Sequence, residues 1–97
     1  MFVVIVRKLI WDSWNIAHIA RHDVTPEEVD QVCQNDPVVQ EGKKGRILVI
    51  GSTENERILI VILDPEEEKD VYYPVTAYTA SKRLRQVYFK EKGGGKK

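Results

Sequence analysis

Apolar positions change their spacing at Val38, and that change divides the chain into a helical half and a strand half. Before it stands one β-branched block, Phe2-Val3-Val4-Ile5-Val6, which predicts a first strand. Trp11-Asp12-Ser13 then leads into a helix running from Asp12 or Ser13 to about Arg21. Ile16, Ile19 and Ala20 fall at i, i+3 and i+4 and predict its buried stripe. The second helix has the clearest start. Thr25-Pro26-Glu27-Glu28 spells a capping box, in which Thr25 and Glu28 satisfy each other's backbone N–H groups. Pro26 takes the first helical position, where a missing N–H costs nothing. Val24 and Val29 are placed for a hydrophobic staple, and Val29, Val32 and Cys33 are expected to face inward. Asn35-Asp36-Pro37 ends the helix, because a residue before proline disfavours helical geometry.

After Val38 the blocks read as strands. Val38-Val39-Gln40 is short and runs into a Gly42-Lys43-Lys44-Gly45 turn. Arg46–Ile50 and Arg57–Leu63 flank the polar stretch Gly51–Glu56, as a hairpin would. Gly42, Gly45 and Gly51 read as turn residues. An acidic turn, Asp64–Asp70, precedes a last strand, Val71–Ala77, in which Pro74 marks an edge or a bulge. A final helix from about Ala80 to Lys90 keeps Ala80, Leu84, Val87 and Tyr88 on its inner face. The expected class is α+β, in the order β-α-α-β-β-β-β-α, with a short antiparallel sheet packed by helices. Residues 1–92 form a single domain and 93–97 a flexible Gly-Lys tail. Ile58 to Leu63 does not alternate with polar residues, as a strand with one wet face should. Three short helices are too few to cover both faces of a sheet, so the run predicts a partner or a homodimer through the apolar sheet.

Composition refines this picture. Apolar residues make up 42% and charged residues 31% of 97 residues, ordinary usage for one globular domain. The single cysteine, Cys33, excludes an internal disulfide and a secreted disulfide scaffold. No apolar run approaches the roughly 20 residues of a membrane span, and the N-terminal block lacks the flanks of a signal peptide. No membrane association is expected, and a cytoplasmic location is. Net charge is zero but unevenly spread: residues 1–42 are acidic, and 80–97 hold seven basic side chains against Glu91 alone. A local cluster of this kind can hold phosphate even on a neutral protein.

No metal or cofactor site is expected. His18 and His22 stand at i, i+4, but Ile19 follows His18 where the zinc-protease motif has glutamate, and no third ligand is evident. What remains is a phosphate-handling set: His22 with Arg21, Arg46, Arg57, Arg83 and Arg85, plus Tyr78. Arginine presents a planar fork to phosphate, and histidine moves protons near neutral pH. Metal-free RNA cleavage needs a base for the 2′-hydroxyl, cations on the phosphate and an acid for the leaving oxygen. The ordinary reading is that Arg46 and Arg57 are strand-edge charges and His22 a helix-terminal cation.

Three stretches together resemble a known family. Trp11-Asp12-x-x-Asn15 followed by Arg21-His22-Asp23-Val24-Thr25-Pro26-Glu27-Glu28 is similar to the opening of BrnT-type toxins. Gly45-Arg46, Gly51 and Arg57-Ile58-Leu59 resemble that family's middle section, and Val75-Thr76-Ala77-Tyr78 through Tyr88 its C-terminal stretch. The resemblance spans about residues 11–88. It implies a RelE-like fold and a metal-independent endoribonuclease, the toxin of a type II toxin–antitoxin system. RNA would be its substrate, and its partner a cognate antitoxin, expected to carry a ribbon-helix-helix. His22, Arg46, Arg57 and Arg85 match the family's pattern as catalytic positions, with Tyr78 as acid or stacking group; Arg21, Lys82 and Arg83 would bind RNA. Three positions depart from it. Asp23 stands for glycine, Tyr78 for arginine and Leu84 for glutamate, which removes the obvious carboxylate base. The alternative is a catalytically degenerate relative acting as a protein- or nucleic-acid-binding module.

Overall fold

The computed structural model describes residues 4–93. They form an α+β fold of five strands and three helices, with a short 3₁₀ turn. β1 (Lys8–Leu9), α1 (Ser13–Ala20) and α2 (Pro26–Gln34) come first. β2 (Val38–Glu41), β3 (Ile47–Ser52), β4 (Ile58–Pro65) and β5 (Val71–Thr79) follow as a meander, and α3 (Lys82–Glu91) closes the order. The sheet runs β1-β5-β4-β3-β2. Its four long neighbours are antiparallel, but β1 pairs parallel with β5, so the sheet is mixed rather than antiparallel throughout.

The first strand is displaced from its expected place. Phe2 and Val3 lie outside the described residues, Val4–Val6 form no strand, and pairing begins at Lys8. Gly94–Lys97, most of the expected tail, also lie outside the described residues.

Two apolar clusters hold the sheet from opposite sides. Ile19 of α1, with Val24 and α2's Val29, Val32 and Cys33, packs on Val49, Leu59, Val61, Leu63 and Ala77. On the other face, Ala80 and Tyr88 pack with Ile50, Ile58 and Ile60, joined by half-buried Leu84 and Tyr78. β4 therefore lies between two helical layers. From Ile58 to Leu63 every residue except Ile62 is buried inside this one chain. The unbroken apolar run thus needs no partner to account for it. Each such side chain is worth roughly 1.5–3 kcal/mol of burial, which makes β4 the centre of the fold's stability.

Local chemistry sets the helix positions. Thr25 and Glu28 make the reciprocal capping box at the start of α2, and Val24 and Val29 are both buried in one cluster. α1 carries a second capping box, between Asp12 and Asn15. Its buried stripe differs from the expected one: Asn15 and Ile19 face inward, while Ile16 and Ala20 are exposed. Gly51 lies within β3 rather than in a turn. A Cβ there would stand 3.0 Å from Val32 Cγ1 and 3.1 Å from the Val32 carbonyl, so glycine lets α2 settle onto the sheet. Pro74 sits at a bulge, where the register with β4 shifts between Ile62 and Leu63.

Candidate functional site

Asn15 is the hinge pin of the site. It is fully buried, and its side-chain N–H groups donate to the Ile10 and Pro74 carbonyls at 3.0 and 3.1 Å. Its Oδ1 accepts from the Asp12 N–H at 2.9 Å. The Asp12 carboxylate in turn accepts from the Tyr73 hydroxyl at 3.0 Å. Hydrogen bonding from the Asn15 N–H, with that of Tyr73, holds Asp12 below its usual range against a smaller opposing effect of burial. α1 is thereby fixed against β5 at its start, and its far end arrives beside Tyr78.

At that end Asp23 and Val24 donate their N–H groups to the carbonyls of Ala20 and Ile19, at 3.0 and 3.1 Å. This is the bond pair of a Schellman motif, and Asp23 holds the left-handed position it requires, at φ 61°. The step after His22 thus demands positive φ, which glycine adopts freely and aspartate tolerates.

The turn delivers an exposed His22 whose ring centroid lies 6.0 Å from that of Tyr78. His18 meets His22 edge-on at 5.6 Å, and Trp14 stacks on His18 at 4.9 Å with the planes 7° apart. Trp14, His18, His22 and Tyr78 form a continuous line of rings. Both histidines are engaged in it, and no group of three His, Cys, Asp or Glu suited to a metal occurs among the described residues.

Arg57 reaches the residues next to His22 and Tyr78. Its Nη1 donates to Glu28 at 2.7 Å and to the Asp23 carbonyl at 2.9 Å, and its Nη2 to Thr79 Oγ1 at 3.4 Å. Burial acts against the Glu28 carboxylate, but hydrogen bonds from Thr25 and Arg57 outweigh it and hold the group below its ordinary range. Glu28 is thus fully engaged as an ion-pair partner, ill suited to serve as a base. Guanidinium carries five N–H donors, so Arg57 retains two that these bonds leave for an anion.

The other expected residues divide. Arg46 enters β3 beside Asp64, whose carboxylate is 4.0 Å away, while Arg57 enters β4 at the other end of the same hairpin. With the six residues of β3 between them, they stand roughly 20 Å apart at about 3.4 Å per residue. Arg46 therefore lies outside the His22–Tyr78–Arg57 cluster. Arg21 is exposed next to His22. Lys82 and Arg83 are exposed on the first turn of α3, which is capped by Ser81 and begins just past Thr79. Arg85 lines a shallow depression of about 330 Å³ with Lys82, Gln86 and Phe89. A larger cavity of about 700 Å³, between the Asp36–Gln40 segment and the end of α3, contains none of the expected site residues.

Sequence reasoning missed Trp14 and the second use of Glu28. The signal for Trp14 was available, since Trp14, His18 and His22 recur at i, i+4 and i+8. Glu28 was concealed by its capping box, which accounts for a glutamate without any further partner. Among the described residues no helix is long and apolar enough to cross a membrane. Comparison of the chain with protein-family models, curated proteins and solved structures finds no match.

Proposed function

We propose that this chain is a BrnT-like, RelE-type toxin of a type II toxin–antitoxin system, an endoribonuclease that acts in the cytoplasm without a metal. The observation that carries the reading is an exposed imidazole against a phenol, His22 and Tyr78, with Arg57 bonded to the residue next to each, Asp23 and Thr79. His22 takes the proton of a ribose 2′-hydroxyl as that oxygen attacks the adjacent phosphorus. The bond from phosphorus to the 5′-oxygen breaks, and the leaving oxygen takes the Tyr78 proton. Proton return from imidazolium to phenolate resets the pair. Products are a 2′,3′-cyclic phosphate and a 5′-hydroxyl end. Arg57 offers its two remaining N–H groups to the crowded phosphate, and Arg85, Arg83, Lys82 and Arg21 supply positive charge to the flanking strand. A co-encoded ribbon-helix-helix antitoxin is the expected partner.

The involvement of Arg57 with Glu28, Asp23 and Thr79 favours a second reading, a catalytically inert relative that keeps the fold for binding. Inducible expression in a bacterial host separates the two. Arrested growth and degraded total RNA with wild type, but not with His22→Ala or Arg85→Ala, support the nuclease. Unaffected growth with intact RNA sinks it.

A further inference from the structure

The line of rings on α1 extends away from the proton-transfer pair, and its outermost member is the least covered. Trp14 leaves 58% of its surface exposed although it is one of the largest apolar side chains in the protein. One face of the indole is taken by His18, nearly parallel to it at 4.9 Å. The helix holds the pair at i, i+4, and Asn15, adjacent to Trp14 and fully buried, fixes the rotation of α1 about its axis. A rigid aromatic surface is therefore presented to solvent, continuous through His18 and His22 with Tyr78.

We propose that Trp14 is a stacking subsite for a nucleobase of single-stranded RNA, on the same side of the molecule as His22. The inference rests on the nuclease reading for its choice of ligand. Every base has a π-face, so a fixed indole grips a strand without reading its sequence. Its neighbours suit a strand rather than an apolar partner. Ile16, the nearest exposed aliphatic residue in sequence, lies about 200° around the helix from Trp14, while His18, Arg21 and His22 share its side. A base on the outer face of Trp14 extends the Trp14–His18 stack by one ring. The strand then continues past His18 towards His22, along ring centroids spaced 4.9 and 5.6 Å.

The test is fluorescence anisotropy of a labelled, uncleavable single-stranded 12-mer (2′-O-methyl RNA), titrated with wild type, Trp14→Ala and Trp14→Phe over a range of salt. The expected result is roughly tenfold weaker binding by Trp14→Ala, near-complete recovery in Trp14→Phe and an unchanged salt slope, because stacking releases no counterions. Lys82→Ala with Arg83→Ala, as the comparison, lowers the slope by about 0.7 for each phosphate that is no longer neutralised. Melting curves of each variant confirm that it is folded, as expected for an exposed position. Affinity unchanged in Trp14→Ala overturns the stacking subsite while leaving the nuclease reading intact. No binding by wild type at any salt overturns both. Equal loss in Trp14→Ala and Trp14→Phe also overturns the proposal, since a phenyl ring still stacks.

Discussion

Arg57→Ala is expected to unfold the protein more readily as well as impair it, and the structure gives the size of the effect. The Arg57–Glu28 pair is 2.7 Å long, and its two side chains are only 31% and 17% exposed. Hydrogen bonds to charged groups are worth about 1.5–3 kcal/mol net. Partial exposure screens the pair toward the lower part of that range. The bonds to the Asp23 carbonyl and Thr79 add little, because water replaces Arg57 at both exposed acceptors. The expected loss is about 2 kcal/mol. For a chain of this length each kcal/mol moves Tm by about 4–8 °C, so a drop of roughly 10 °C follows. Urea unfolding followed by far-UV circular dichroism measures it directly, with the midpoint falling and the slope unchanged. Arg57→Lys should recover most of it, since the bonds to Glu28 and the Asp23 carbonyl both leave from one nitrogen, Nη1, and an ammonium also carries three donors. His22→Ala, at an exposed position, stays within about 0.5 kcal/mol of wild type. An Arg57→Ala loss below about 0.5 kcal/mol would refute the anchoring role and return the whole guanidinium to the phosphate site.

Asn15→Asp costs about 3 kcal/mol or more at neutral pH, because a carboxylate cannot donate to the Ile10 and Pro74 carbonyls and is buried facing them; chemical denaturation reads the loss. Cys33, whose thiol burial pushes up to about 12 with help from Asp30, resists iodoacetamide at about pH 8 in the native state and reacts at once in denaturant, as mass spectrometry can follow. Glu28 titrates below its unfolded value of 4.5, so its contribution is complete above that pH and is lost as pH falls through the folded value. The stability gap between wild type and Glu28→Gln should therefore close on acidification below about 4.5, as melts across that range would report.

What sequence made legible was the chemistry that closes over a few residues. α2 follows from Thr25, Pro26 and Glu28, and the bulge from Pro74, because caps and missing donors act locally. β1 escapes such reasoning because its pairing with Val71 and Tyr72 is distant in sequence, and β-branched composition at Phe2–Val6 carries no knowledge of that partner. The stripe of α1 departs from its pattern for a related reason. Asn15 is polar by type, yet its contacts with Pro74, far along the chain, turn it inward and turn Ile16 out. In the candidate site His22 meets Tyr78, and Arg57 bonds their neighbours Asp23 and Thr79, through three separate elements that no spacing rule connects. Arg46 is parted from them because residues 46 and 57 each precede one strand of the hairpin, and the entry points of two antiparallel strands lie at opposite ends.

The most direct test of the central claim is incubation of the purified chain with a defined single-stranded RNA in the presence of a metal chelator. Wild type should cleave it to fragments ending in 2′,3′-cyclic phosphate. His22→Ala, which keeps its melting temperature, and Tyr78→Phe should both slow the reaction by about 10²-fold or more. RNA left intact by folded wild type, or cut equally well by His22→Ala, would contradict the account.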